Sequence, residues 1–326
     1  MKTAIVILNW NGKSLLERFM PSVLKYSEDA DIYVADNAST DDSVSYIKTH
    51  FPSVNIIQNS SNGGYAKGYN DALKHIQADI YCLLNSDVEV TEHWLPPILE
   101  IFNKQPQTAI VQPKIKALNR KTHFEYAGAA GGYIDKYGYP YCRGRIFNTI
   151  EEDKGQYDDV AEIFWASGAC FFIRKDVFNT LKGFDESFFA HMEEIDLCWR
   201  AFNYGYSIKY VGASTVYHLG GGTLKNTSPK KTYLNFKNSL FTLTKNAFGN
   251  IFLLVFTRLV LDGVAGLMFL FQLKFSHILA IIKAHFSYYF NLNKLLKIRK
   301  NQKKRKDYYQ KTSIVWAYYV NRYKIF

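Results

Sequence analysis

At 326 residues the chain can hold one large domain, or one domain with an appendage. An apolar share of 48% is that of a globular protein with a full core, and no internal repeat or low-complexity linker interrupts it. The net charge of +11 gathers in a late basic run, Lys294 to Lys306, and the strongly apolar stretch just before it favours a membrane surface over nucleic acid as the partner.

The first 110 residues or so alternate strand and helix signals. Strand-like runs cover 3–9, 31–36, 55–58 and 80–84, and helix-like stretches cover 13–26, 41–51 and 65–76. Such alternation predicts a largely parallel sheet with helices on both faces. The region 113–160 is rich in Gly, Tyr and charge and reads as loops and short strands crossing the ligand edge of the sheet. A buried strand pair or bent strand is expected over 163–173, a helix over 191–204, and strands near 207–211 and 214–218. Ile251 to Phe271 is long enough to span a bilayer but carries Arg258 and Asp262, each costing roughly 2.5–3.5 kcal/mol at mid-span. Four residues apart, the two charges can pair on one helix face. A second apolar stretch, 278–290, is too short to span, so both are expected to lie in the membrane interface.

Aromatic residues reach 16%, which suits sugar-stacking surfaces and membrane interfaces as well as plain packing. Cys82, Cys142, Cys170 and Cys198 are scattered without a CxxC pair, as expected of buried thiols in a reducing cytoplasm. The run Thr3 to Leu8 is a strand, too short for the apolar region of a signal peptide.

Five segments carry candidate chemistry. Leu84-Asn85-Ser86-Asp87 follows an apolar strand, which puts Asp87 at the C-terminal edge of the sheet, where a carboxylate can hold a divalent metal against a phosphate. The same residues also suit a plain turn. Asp36 ends the second strand and can accept a hydrogen bond from a base or ribose. In Asn62-Gly63-Gly64-Tyr65-Ala66-Lys67-Gly68-Tyr69-Asn70, glycines at a helix start let backbone amides approach an anion. The run is neither a GxxxxGK[ST] nor a GxGxxG loop. Glu193 and Glu194 diverge by about 100° on a helix, so one can face a cleft as general base while the other faces a neighbour. His218 ends a strand before Gly220, Gly221 and Gly222; with Asp87 and a diphosphate it would complete a site for Mg²⁺ or Mn²⁺.

The order of these pieces, from Asn9-Trp-Asn through Asp36-Asn-Ala-Ser-Thr-Asp, the glycine segment, Asn85-Ser-Asp, Trp165-Ala-Ser167-Gly168-Ala, Gly183-Phe-Asp-Glu, Glu193-Glu-Ile-Asp-Leu-Cys-Trp-Arg and Tyr217-His218, resembles the family 2 glycosyltransferases of the GT-A fold, within them the rhamnosyltransferase-like bacterial members. The resemblance covers residues 3 to about 245, roughly three quarters of the chain, and marks 246–326 as a helical, membrane-associating appendage. It implies an αβα sandwich and inverting transfer from a nucleoside diphosphate sugar, dTDP-rhamnose first and a UDP-sugar second. The apolar and basic C-terminal part suggests that the acceptor is a hydroxyl of a glycan carried on a polyprenyl diphosphate, at the cytoplasmic face of the inner membrane, in cell-envelope polysaccharide synthesis. Asn9, Asp36, Asn62, Gly63, Gly68, Asn70, Asn85, Ser86 and Asp87 would then bind the nucleotide sugar, Asp87 and His218 the metal, and Trp165, Ser167 and Gly168 would line the acceptor side. Glu194 matches the family's base, with Glu193 as the other candidate. Asn85 replaces the first Asp of the family's DxD motif and removes one negative charge. A catalytically inactive relative acting as a membrane-bound assembly partner is the alternative.

Overall fold

The computed structural model describes residues 1–220 and 228–326; Gly221, Gly222 and Thr223 of the glycine run lie outside the described residues. Apolar runs form the first strands: β1 (Thr3–Asn9), β2 (Ala30–Asp36), β3 (Asn55–Gln58) and β4 (Ile80–Asn85), separated by α1 (Lys13–Tyr26), α2 (Ser43–His50) and α3 (Gly64–Leu73). There follow β5 (Val88–Val90), α4 (Pro96–Lys104), β6 (Thr108–Ala117) and β7 (Arg120–Phe124). A separate four-stranded sheet comes next, β8 (Gly132–Ile134), β9 (Pro140–Cys142), β10 (Arg145–Ile146) and β11 (Thr149–Ile150). The chain then returns through β12 (Val160–Glu162), β13 (Cys170–Arg174), α5 (Lys175–Thr180), α6 (Glu193–Asn203) and β14 (Ser207–His218). It closes with α7 (Pro229–Asn246), α8 (Ile251–Phe271), α9 (Phe275–Asn301) and α10 (Ile314–Tyr319).

The main sheet runs β12-β14-β6-β13-β4-β1-β2-β3. β1 pairs in parallel with β2 and β4, β2 with β3, and β6 with β14, while β13 runs against both β4 and β6. The sheet is therefore mixed rather than mainly parallel, because β5, β7, β12 and β13 all run against their neighbours, and the ends of β1, β2, β4, β6 and β14 and the start of β13 share one edge. Two buried clusters, one on each face, make it the middle of an αβα sandwich.

Three local expectations change. The two strands expected at 207–218 are one strand, β14, with an irregularity between Val211 and Thr215. The 163–173 segment is a bend at Ile163–Ala169 followed by β13, because Trp165 folds back onto Gly132 rather than pairing along the main sheet. The stretch 278–290 lies within a single 27-residue helix, α9, that also takes in the first half of the basic run.

The C-terminal helices pack back onto the sheet domain. The guanidinium of Arg258 donates to Asp262 at 2.8 Å, the Tyr139 hydroxyl donates to the same carboxylate at 3.0 Å, and His285 lies 3.3 Å from its other oxygen. The i,i+4 pairing expected from the sequence is thus present, and it faces the loop between β8 and β9. What α8 turns outward is apolar: Phe252, Phe256 and Phe271 are 68%, 64% and 85% exposed. By length and composition α8 is the one helix among the described residues able to cross a membrane.

Candidate active site

The shared strand edge gathers the candidate polar residues. At the end of β1 the Asn9 amide donates to Asp36 at 3.0 Å and to Ser39 at 3.2 Å, and the other Asp36 oxygen accepts from the Ser39 amide at 2.9 Å. Asn9 pairs with Asp36 across β1 and β2 in register. The Asn9 side-chain oxygen has no protein partner although it is buried. Gly12 makes room for it, since a Cβ there would stand 2.5 Å from that oxygen and 3.9 Å from the Ser86 hydroxyl. Asn9, Asp36 and Ser86 thus border one corner.

The glycine segment divides. Gly63 caps α3, and the Asn62 side chain accepts from the Gly64 amide at 3.0 Å. Gly68 sits inside α3, where a Cβ would fall 2.6 Å from Asn37 and 2.8 Å from Leu8. Its role is close packing of helix on sheet rather than an amide offered to an anion. Asn70 is occupied elsewhere: its amide donates to Phe184 O at 2.9 Å and its oxygen accepts from Phe184 N at 2.9 Å. Asn37 and Asn59, not singled out from the sequence, tie α3 to β2 and β3 through bonds of 2.8–3.0 Å.

Asp87 and His218 meet because β5 pairs with β14, Val88 opposite His218. Asp87 Oδ1 lies 3.1 Å from His218 Nε2, and Glu125 Oε2 lies 3.5 Å from His218 Nδ1. All three side chains are nearly buried. Burial disfavours the charged imidazole, but the bonds and charges of Asp87 and Glu125 outweigh it and raise His218 to about 10. Glu125 carries no motif; only the β6–β7 hairpin and the end of β14 bring it to a histidine 93 positions later, so no local pattern marks it.

Among the described residues no group of three or more His, Cys, Asp or Glu side chains is arranged to hold a metal ion. The Asp87 and His218 pair still fits a divalent ion in part, provided the ion displaces the His218 Nε2 proton: a carboxylate oxygen and an imidazole nitrogen, 3.1 Å apart at a strand end, would leave its other positions to oxygens of a diphosphate. The half-buried Asn85 and Ser86 stand between this pair and the Asn9 corner.

The carboxylates of α6 complete the edge. The Asn85 amide donates to Ala169 O at 2.9 Å, and the neighbouring Gly168 amide approaches the Glu194 carboxylate. The Tyr65 hydroxyl donates to Gly168 O at 2.9 Å. Both glutamates head α6, and each has one buried oxygen without a protein partner. Burial pushes Glu194 up to about 7, against the pull of the Gly168 amide and the first helical amides. Glu193 is pushed higher, by burial and then by the Glu194 charge beside it. Glu193 is buried while Glu194 is half-buried as a residue, and Glu194 is the one pushed up to about 7. Of the acceptor-side residues, only Gly168 borders this opening. Trp165 is buried and donates to Tyr133 O at 2.8 Å, and Ser167 is buried with its hydroxyl on Ala127 O.

Comparison with known proteins bears on the fold and the family. A relative from Mycobacterium tuberculosis, an N-acetylglucosaminyl-diphospho-decaprenol L-rhamnosyltransferase, is 22% identical over 229 residues, covering 66% of this chain and 75% of the relative. The solved structure of GalNAc-T7 with UDP, GalNAc and Mn²⁺ superposes with a TM-score of 0.59 at 19% identity, over 75% of this chain but only 48% of that one. A mannosyltransferase from Pyrobaculum calidifontis, solved with GDP-Man and Mn²⁺, gives 0.52 at 12% identity over 90% of this chain and 75% of its own. These likenesses carry the GT-A fold. The model of glycosyl transferase family 2 matches residues 4–182, more than half of the chain, and the protein therefore belongs to that family.

Proposed function

We propose that the protein transfers a sugar from a nucleoside diphosphate sugar to a hydroxyl of a lipid-carried glycan by single displacement, with Glu194 as base. The observation that supports this reading is the run Asp87–Asn85–Ala169–Gly168–Glu194, which links a carboxyl pushed up to about 7 by burial to the strand edge that also bears the Asp87 and His218 pair. Glu194 takes the proton of the acceptor hydroxyl. The freed oxygen bonds to the anomeric carbon as the bond to the nucleoside diphosphate breaks on the far side, so the configuration inverts. Asp87 and His218 would hold Mg²⁺ or Mn²⁺, whose chemistry is to offset charge on the departing diphosphate. Asn9, Asp36, Asn62 and Gly63 lie where the nucleotide end of the donor would rest.

A base is most effective when its pKa lies near the working pH, and burial of Glu194 meets that condition. The diphospho-decaprenol in the name of the Mycobacterium tuberculosis relative and the GDP-Man bound by the Pyrobaculum calidifontis mannosyltransferase support the substrate classes proposed. dTDP-rhamnose is the first donor to try and UDP-hexoses the second. The outward apolar face of α8 supports attachment to the cytoplasmic membrane surface by an in-plane helix, since its polar residues are already spent on the protein. A thermal-shift screen of nucleotide sugars with Mn²⁺ and Mg²⁺ tests the reading. One sugar nucleotide should stabilise the protein selectively and in a metal-dependent way; equal indifference to all of them would reject it.

A further inference from the structure

The outward face of α9 changes character along its length. Leu279, Ile282, Phe286 and Phe290 are exposed at helical spacing, and the same face continues as Asn293, Lys297 and Lys300. Beside this basic end lies the start of α8. Between them is a cavity of about 750 Å³ walled by Ile251, Phe252 and Leu296 on the apolar side and by Lys297, Lys300 and Lys304 on the other, with no acidic residue in its lining. Not all of its cations are free. Arg299 donates to the carbonyls of Thr244, Ala247 and Gly249 and so closes the end of α7, and Lys304 donates to the carbonyls of Arg299 and Gln302. Lys297 and Lys300 are exposed and have no ion pair or hydrogen bond among the described residues.

We propose that this cavity seats the phosphate headgroup of an anionic phospholipid, with Lys297 and Lys300 on the phosphate and Ile251, Phe252 and Leu296 against the first part of the acyl chains. A soluble anion has no use for an apolar wall; a lipid has, and the wall runs directly into the exposed Phe252 and Phe256 of α8. The site would fix one end of the α8–α9 pair at headgroup level and so hold the catalytic cleft at a set orientation to the bilayer. The inference rests on the membrane reading given above.

The test is co-sedimentation of the full chain with vesicles of phosphatidylcholine, alone or with about one third phosphatidylglycerol. Two lysines near an anionic surface should tighten binding to the mixed vesicles by about tenfold or more. The exposed pair change K297E/K300E should erase that preference and leave binding to neutral vesicles intact. The control K303E/K306E, in the same basic run but outside the cavity, should keep most of it. Equal loss in both variants, or displacement by inorganic phosphate, overturns the proposal. Wild-type protein that binds both vesicles equally overturns the lipid site and leaves the membrane reading standing; binding to neither overturns both.

Discussion

Glu194 sits at the head of a helix, where backbone amides favour a charged carboxylate, yet burial wins and the group titrates near 7. A folded-state pKa above the usual 4.5 means that the folded protein holds this proton more tightly than the unfolded chain. The stability that this gives is full at low pH and is lost as pH rises through about 7. Glu194→Gln removes the titration, so the variant should be more stable than wild type at pH 8, by roughly 1–3 kcal/mol, and no more stable at pH 4. Chemical denaturation at the two values checks this. The same exchange should cut kcat by about 10²–10⁴-fold with nucleotide affinity unchanged. Asp87→Ala should behave in the opposite way. Calorimetry should show nucleotide affinity falling with Mn²⁺ present and little change in its absence, because the lost group holds metal rather than nucleotide.

At the scale of elements, the entry to α6 is the feature that needs support. His191 and Met192 both adopt the left-handed conformation, at φ of 69° and 74°, immediately before the two glutamates. Two such residues in sequence cost of order 1–3 kcal/mol each. The buried Asn238 of α7 holds the turn by donating to the carbonyls of Ala190 and His191 at 3.0 and 2.8 Å. Asn238→Ala should therefore lower kcat while nucleotide affinity stays near wild type, at a stability cost of about 1–3 kcal/mol for the unpaired carbonyls. Steady-state kinetics beside urea unfolding separates the two effects. Neither the strain nor its support was legible from the sequence, which shows α7 as a polar stretch with no motif. The parallel strands were legible because their apolar runs end abruptly in polar turns, and Asp36, Asp87 and Glu194 were legible because each stands directly at such an end or helix start. Glu125 was not, since only the pairing of β14 with β5 and β6 brings His218 to it. Trp165, Ser167 and Asn70 look functional in a motif, yet their side chains are consumed in holding loops together.

Across the whole molecule, the C-terminal helices and the catalytic sheet are joined by buried charges. Lys245, at the end of α7, pairs with Asp185 at 2.6 Å and Asp196 at 2.8 Å, and the Asn246 amide also donates to Asp196. Lys245→Ala takes the cation from Asp185 but leaves Asp196 paired with Arg200 at 2.9 Å, so unfolding free energy should drop by about 1–3 kcal/mol. Further along, Ile314 N donates to Asp135, and the Phe326 ring stacks 5.2 Å from Tyr133. Truncation after Asn250 would therefore strip contacts from the β8–β9 hairpin as well as the apolar outer face. The apolar outer face of α8 and the four-stranded sheet are parts of one structure, which suits the proposed delivery of an acceptor from a bilayer. The most direct measurement follows the anomeric configuration of product by NMR when the full chain is given Mn²⁺, dTDP-rhamnose or a UDP-hexose, and a lipid-linked glycan. The account predicts an inverted product from wild type, formed about 10²–10⁴-fold more slowly by Glu194→Gln although that variant still binds the nucleotide. A retained configuration, or normal turnover by the variant, would contradict it.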